Sequence, residues 1–196
     1  MTAAQTSGPA PDATRVRILR VALELFAEQG FAATSTRELA ERLGFSKAAL
    51  YYHFRTKDDL LAALVEPVVG ELASLVNETA VSPSAAARRA VLAGYVDIGA
   101  RHLGLLRVLT QDPSVTKRPA SASHERLRAR MTQLLSGCEA PDTAARTRAR
   151  AALGAVRAGL WLADADDDPA AVRMSTLAAA CGALGIAGPR CSRPPR

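Results

Sequence analysis

Polar-tipped rings and cations are concentrated in one short stretch of the chain, residues 34–57. Tyr51, Tyr52 and His53 follow one another, and three successive polar-tipped rings cannot all point into a core. The charged side chains between residues 35 and 57 give this stretch a net charge of +3: Arg37, Arg42, Lys47, Arg55 and Lys57 against Glu38 and Glu41. Hydroxyl, imidazole and cationic groups donate hydrogen bonds to phosphates and base edges. These residue types therefore favour contact with nucleic acid.

The charge of the whole chain does not locate this function. The formal net charge is +6, yet residues 1–66 carry equal numbers of acidic and basic side chains, so the excess lies in residues 67–196. A basic balance is typical of proteins with acidic partners such as nucleic acid. Here the local patch, rather than the global charge, indicates where such a partner binds.

Two short helices must position these side chains. Ser35, with Glu38 three residues later, forms a capping box that begins one helix, which we expect to end at Gly44. Ser46 caps a second helix over about residues 47–53. Gly44 permits the left-handed backbone that a tight turn requires. The pattern predicts a helix-turn-helix, whose second helix can lie in the major groove.

The rest of the chain also shows helical spacing, and its abundant Ala and Leu are strong helix formers. We predict an all-α fold, with a small N-terminal three-helix helix-turn-helix domain followed by a larger helical domain. Pro67 should kink or break the helix that Thr56 caps. Other helices are expected at about residues 14–29, 85–99, 102–111, 121–136, 143–164 and 169–184. The predicted division is a disordered arm at 1–13, a DNA-binding domain at 14–57, a regulatory domain at 58–186 and a disordered tail at 187–196.

A run of residues within this stretch carries a dense resemblance to a known family. The matching positions are Phe26, Gly30, Phe31, Thr34, Leu39, Ala40, Leu43, Gly44, Ser46, Leu50, Tyr51, Tyr52, His53, Phe54 and Lys57. The run resembles the DNA-binding domain of the TetR family over about residues 14–64. The resemblance implies a ligand-responsive repressor that binds a palindromic operator as a dimer.

The resemblance also implies roles for individual residues. Thr36 and Arg37 would reach a phosphate or a flanking base, and Lys47, Ala48 and Tyr51 would meet base edges. Tyr52, His53 and Lys57 would contact phosphates. Physical chemistry supports two of these roles. Lys57 lies at a helix N-terminus, which attracts anions such as phosphate. Ala48 has a short side chain that can pack on a thymine methyl group.

Two other classes of function compete with DNA binding. A helical protein-interaction module is the main alternative, although Lys47, Tyr51, His53 and Lys57 make the outer face too polar for it. An enzyme with a DNA-binding appendage has no phosphate-binding loop, GxSxG or HExxH motif to support it. We expect no metal and no cofactor, since the three cysteines and three histidines lack ligand spacing. Without a signal peptide or an apolar run of membrane length, a cytoplasmic location is expected.

Small residues in the last two predicted helices point to a dimer interface. Small side chains permit close helix packing, and two such helices from each subunit can form a four-helix interface. The predicted interface residues are Ala151, Ala155, Ala158, Gly159, Ala178, Ala179 and Gly182.

A ligand pocket among the middle helices is implied by the resemblance. Tyr95 and Trp161 are the only aromatic residues after residue 54, and each pairs an apolar body with a polar handle. They could equally be core residues. His102 and Arg107 are the nearest polar candidates, and Pro67 would contribute to the wall. The surrounding Ala, Leu and Val favour an apolar or amphipathic effector.

Overall fold

The computed structural model describes residues 11–79, 84–116, 122–138, 140–164 and 166–186. The regular elements within these ranges are helices, which confirms the all-α prediction. In chain order they are α1 (Pro11–Gln29), α2 (Thr36–Leu43), α3 (Lys47–His53), α4 (Lys57–Thr79), α5 (Ala85–Arg101), α6 (Leu103–Gln111), α7 (Pro113–Thr116), α8 (Ala122–Ser136), α9 (Thr143–Trp161) and α10 (Pro169–Leu184).

Side-chain caps begin several of these helices where the sequence predicts them. Asp168 accepts hydrogen bonds from the backbone N–H groups of Ala170 and Ala171, with Pro169 as the first helical residue. Thr56 and Asp59 form a reciprocal cap in which each side chain accepts from the other residue's backbone N–H. Because capping satisfies N–H groups that have no partner inside the helix, it fixes where α4 and α10 start.

The elements differ from what the sequence predicts at three points. Helix α1 begins at Pro11, so residues 11–13 are helical rather than part of a disordered arm. Helix α4 runs through Pro67 without a break. Of the two effects expected of this proline, the break is therefore wrong and the kink stays a prediction. The short helix α7 was not anticipated. Residues 1–10 of the predicted arm and the predicted tail at 187–196 lie outside the described residues.

The chain divides into two compact units. The described part of the N-terminal unit consists of residues 11–66 and 108–116. The described part of the C-terminal unit consists of residues 67–79, 84–107, 122–138, 140–164 and 166–186. The division falls inside α4, between Glu66 and Pro67, whereas the sequence placed it after residue 57. The predicted domain boundaries stay a prediction.

Large side chains form the core of the N-terminal unit. The rings of Phe26 and Phe31 lie 5.0 Å apart at their centroids, and both are almost completely buried. Leu39 and Leu50 bring α2 and α3 onto the same core. This core fixes the orientation of the two short helices.

The C-terminal unit packs mainly through α9, which pairs most extensively with α10 and also contacts α5 and α8. Its core contains aliphatic residues and, at the helix contacts, the buried Ala149, Ala152 and Ala180. Among the described residues, no helix is both long and apolar enough to cross a membrane.

Candidate nucleic-acid interface

The turn between α2 and α3 has the geometry that its sequence predicts. Ser35 Oγ accepts a hydrogen bond from the backbone N–H of Glu38 at 3.1 Å. Gly44 ends α2 in the left-handed region, with φ of 69°, and the N–H of Phe45 donates to the carbonyl of Ala40 at 2.9 Å. Ser46 Oγ accepts from the N–H of Ala49 at 3.1 Å and begins α3. Both helix starts and the turn are thus set by local hydrogen bonds.

One side of α3 is anchored to the core by Leu50 and by Phe54, which follows the helix; both are buried. The guanidinium of Arg15 lies 4.4 Å from the centre of the Phe54 ring, and that of Arg17 lies 5.6 Å from the Phe45 ring. Cations over ring faces are attracted to the negative face of the aromatic system. The opposite side of α3 is therefore held toward solvent.

The exposed face of α3 presents the residues predicted to read base edges. Lys47 and Ala48 are exposed, and Tyr51 and Tyr52 are 37% and 86% exposed. The ammonium of Lys47 lies 5.5 Å from the centre of the Tyr51 ring. His53 is half-buried, with its ring edge-on to Tyr52 at 5.3 Å. This surface combines donors, a cation and a short apolar side chain, which is the chemistry of groove recognition.

The two predicted contact residues at the start of α2 differ in exposure. Thr36 is half-buried, whereas Arg37 is exposed and its Nε donates to Glu41 Oε1 at 2.8 Å. The hydrogen bond with Glu41 and the charge of Glu41 raise the pKa of Arg37. Sequence reasoning did not anticipate this i to i+4 pair. A phosphate that binds Arg37 must compete with the Glu41 carboxylate.

Lys57 lies at the start of α4, but its ammonium points to the turn that precedes α2. Nζ donates to the carbonyls of Phe31, Ala32 and Thr34 at 2.5, 3.1 and 2.7 Å. It also lies 4.6 Å from the centre of the Phe31 ring. An ammonium has three N–H donors, so a phosphate bound by Lys57 would replace one of these bonds. Its phosphate contact stays a prediction.

Asp112 supports the same turn, and sequence reasoning missed it. Its Oδ2 accepts from the backbone N–H of Ala32 at 2.9 Å, and its Oδ1 accepts from the N–H and hydroxyl of Ser114 at 2.8 and 2.6 Å. The hydrogen bonds from Ser114 and from Ala32 lower the pKa of Asp112. Because Ala32 and Asp112 are 80 positions apart, no local pattern could have paired them.

Comparison with known proteins identifies this N-terminal region. Residues 18–64 match the family model described as "Bacterial regulatory proteins, tetR family". Residues 18–64 form a TetR-family domain. The resemblance inferred from the sequence is thus confirmed.

Curated relatives of the TetR-family domain match it over a similar span. The tetracycline repressor protein class A from transposon 1721 of Escherichia coli is 50% identical over 54 residues, which are 28% of this chain and 25% of that protein. The transcriptional regulator AcrR of Shigella flexneri is 45% identical over 62 residues, 30% of this chain and 29% of that protein. The chain therefore spans less than a third of the length of these curated relatives.

Solved structures resemble the chain beyond the TetR-family domain. Mycobacterium smegmatis AmtR is 26% identical, with a TM-score of 0.68 over 94% of this chain and 91% of AmtR. The probable transcriptional regulatory protein RHA5900 has a TM-score of 0.69 over 89% of this chain and 100% of its own, at 17% identity. The second likeness shows the fold alone.

Outside the TetR-family domain, the predicted ligand residues do not converge. Tyr95 lines a cavity of about 350 Å³, whose lining in the described chain includes none of the other four. His102 Nε2 is 2.8 Å from Glu71 Oε1, and Arg107 Nη2 donates to the carbonyl of Ala163 at 3.4 Å. Pro67 is exposed, and Trp161 is 40% exposed. The predicted ligand contacts stay a prediction.

The predicted dimer residues lie on α9 and α10 and differ in exposure. Ala151, Ala158, Ala179 and Gly182 are exposed, and Ala155 and Ala178 are half-buried. Gly159 faces α10 of the same chain, where an added Cβ would collide with Thr176. The absence of a side chain at Gly159 therefore allows α9 to pack closely on α10 of the same chain. Its role in the dimer interface stays a prediction.

Proposed function

We propose that the protein is a transcription regulator that binds operator DNA through α3. The observation that carries the proposal is the exposed face of Lys47, Ala48 and Tyr51 on a capped helix within a TetR-family domain. Major grooves admit an α-helix, and cations, hydroxyls and small apolar groups match the base edges exposed there. The curated relatives matched by this domain include proteins named as repressors, which supports repression as the regulatory outcome.

The DNA-binding proposal is tested by selecting bound sequences from random duplex DNA and then measuring variants against the selected site. Tyr51→Ala should cost about 1–3 kcal/mol of binding free energy and broaden the base preference at one position. Tyr51→Phe is the matched control for the ring, because it removes only the hydroxyl. If no sequence is enriched, or if Tyr51→Ala binds the selected site as tightly as the wild type, α3 does not read DNA.

The protein would act as a homodimer whose two copies of α3 meet successive major grooves. Several observations support an interface on α9 and α10. Leu162 and Met174 are exposed apolar residues beside the small ones, and a groove between the two helices is lined by Ala155, Leu162 and Ala179. Exposed apolar surface of this kind is typical of protein interfaces. A two-fold dimer predicts a palindromic operator.

Sedimentation tests the dimer. Ala179→Arg places a charge on the exposed part of α10 and should yield monomers that lose operator binding. Ala144→Arg is the matched control, because Ala144 is exposed on α9 outside the predicted interface. A wild-type protein that sediments as a monomer would contradict the proposed dimer, and a dimer that tolerates Ala179→Arg would place the interface elsewhere.

Regulation by a small molecule completes the proposal. The cavity lined by Tyr95 supports it, because its size lies within the range of small-molecule sites, roughly 300–1,000 Å³. An effector that binds the DNA-free protein more tightly than the DNA-bound protein lowers operator affinity by the ratio of those two effector affinities. Operator affinity should therefore fall over the same effector concentrations that saturate the cavity.

A further inference from the structure

The cavity in the C-terminal unit has an apolar wall and a polar edge. It lies between α4, α5, α8 and α9, and the apolar side chains that line it are Val69, Leu72, Leu127, Met131 and Leu153. Met131 is buried in the core of the unit, and Leu127 packs against that core. An unbranched or flexible hydrocarbon gains free energy when such a wall removes it from water.

Two arginines of α9 stand at the edge of this wall. Arg150 and Arg157 line the cavity, are exposed, and lie seven residues apart, which is two turns of one helix face. Within the described residues, neither makes a hydrogen bond or an ion pair. Their charges are therefore available to a ligand, and their exposure avoids the cost of burying them without a partner.

A third arginine is already neutralised. Arg128 Nη2 lies 2.6 Å from Glu125 Oε2, and both residues line the cavity. The remaining cations, Arg150 and Arg157, thus set the sign of the charge at the mouth. A neighbouring groove of about 500 Å³ shares Arg128 and Arg150 with the cavity and adds Arg146, so the positive surface continues along α8 and α9.

Tyr95 supplies a neutral hydrogen-bond donor beside these cations. Its ring is half-buried against the core, and its hydroxyl has no hydrogen-bond partner among the described residues. Burial raises the pKa of Tyr95, and the positive charge of Arg157 acts in the opposite direction. A phenol with a raised pKa stays protonated at neutral pH and can donate to an anionic oxygen.

We propose that this cavity binds an amphipathic anion. Its apolar body would lie against Val69, Leu72 and Met131, and its carboxylate or phosphate group would lie between Arg150 and Arg157. Hydrogen bonds to charged groups are stronger than neutral ones, so the charge would decide which amphiphile binds. The inference rests on the proposed function only where binding is linked to DNA release.

Calorimetry with the full chain tests the ligand class. The probes are decanoate, decyl phosphate, decanol and decyltrimethylammonium, each below its micelle-forming concentration. We expect the better of the two anions to bind at least about tenfold more tightly than decanol, and the cation to bind more weakly than decanol. The preferred anion identifies the head group. Equal binding of decanol and both anions, or no binding of any probe, would overturn the proposal.

Single substitutions locate the head group. Arg150→Met and Arg157→Met should each weaken binding of the preferred anion about tenfold and leave decanol unchanged. Arg148→Met is the matched control, because Arg148 is exposed on α9 but does not line the cavity. Tyr95→Phe removes the hydroxyl but keeps the ring, and should weaken binding of the preferred anion several-fold. Melting temperatures confirm that each variant is folded. A loss in Arg148→Met equal to that in Arg157→Met would show a general charge effect and contradict the proposed site.

Operator binding, measured separately by fluorescence polarisation, distinguishes this inference from the proposed function. Anion binding that depends on Arg157 but leaves operator affinity unchanged would support the site and contradict its regulatory role. Anion binding by a protein that selects no DNA sequence would support the site and overturn the proposed function. Release of the operator by the anion, lost in Arg157→Met and kept in Arg148→Met, would support both.

Discussion

The two units of the molecule obtain their order in different ways. In the N-terminal unit a few large side chains, Phe26 and Phe31 among them, fill the core, and side-chain caps begin both α2 and α3. In the C-terminal unit α9 and α10 approach through small residues such as Gly159 and Ala180. The surface proposed for DNA is therefore fixed mainly by interactions between residues close in the chain, whereas the cavity depends on how distant helices pack.

Removing one large side chain from the N-terminal core should have the largest effect. Phe26→Ala should lower the free energy of unfolding by about 3–5 kcal/mol, because so small a unit cannot close the cavity that remains. Chemical denaturation measures the change. Ala149→Gly in the core of the C-terminal unit is the contrasting substitution, since it removes a single methyl group. Equal losses in the two variants would mean that the two cores do not differ as described.

Lys57→Met should have the next largest effect. It removes the charged donor to three carbonyls of the turn before α2, which should cost about 1.5–3 kcal/mol of unfolding free energy. Lys47→Met is the matched control, because Lys47 is exposed on α3 and its substitution should leave stability nearly unchanged. If Lys57 is only a phosphate contact, Lys57→Met will flatten the salt dependence of DNA binding and leave the melting temperature unchanged.

A matched pair of glycine substitutions on α9 probes the C-terminal unit. Gly159→Ala introduces a Cβ that collides with Thr176 and should cost about 1–3 kcal/mol of unfolding free energy. Gly154→Ala meets no atom within 4 Å and should stabilise the helix by roughly 0.5–1 kcal/mol. Thermal denaturation of the two variants should show a lower melting temperature for Gly159→Ala and a higher one for Gly154→Ala. A shift in the same direction for both would contradict the close packing of α9 on α10.

The smallest expected effect concerns Asp112 and pH. Hydrogen bonds from Ser114 and Ala32 lower the pKa of Asp112 in the folded state. The contribution to stability is therefore present above the pKa of the unfolded state, about 3.9, and is lost as the pH falls through the folded-state pKa. At pH 7, Asp112→Asn should be less stable than the wild type by under about 1 kcal/mol. Denaturation midpoints should converge at low pH, and a constant difference would exclude ionisation of Asp112 as the cause.

Much of the helix-turn-helix could be predicted because its determinants lie within a few residues of one another. Ser35 and Ser46 each bond to a backbone N–H three positions later, and Gly44 supplies the turn between them. Such contacts do not depend on the rest of the fold. The same locality explains why α10 occupies the predicted residues 169–184, between the Asp168 cap and the left-handed Gly185.

The arginines of α9 show where sequence reasoning reached its limit. Arg146, Arg148 and Arg150 are spaced by two and spread around a helix, which favours a solvated surface. All three are exposed, as that interpretation predicts. The pattern that matters for the proposed site is Arg150, Leu153 and Arg157, which share one face of α9 and line the cavity. That face acquires a proposed ligand only because other helices pack beside it.

Local sequence is enough to set α2 and α3, their caps and the residues exposed on α3, because each follows from backbone hydrogen bonds and side chains within about one turn. It did not reveal the start of α1, the course of α4 through Pro67 or the short helix α7. Three contacts follow from tertiary packing alone: Lys57 donates to the turn before α2, Gly159 lets α9 pack closely on α10 at Thr176, and Tyr95 shares a cavity with Arg157. Those contacts join segments 17 to 62 positions apart in the chain. Their partners are selected by the packing of the whole unit, which no local pattern specifies.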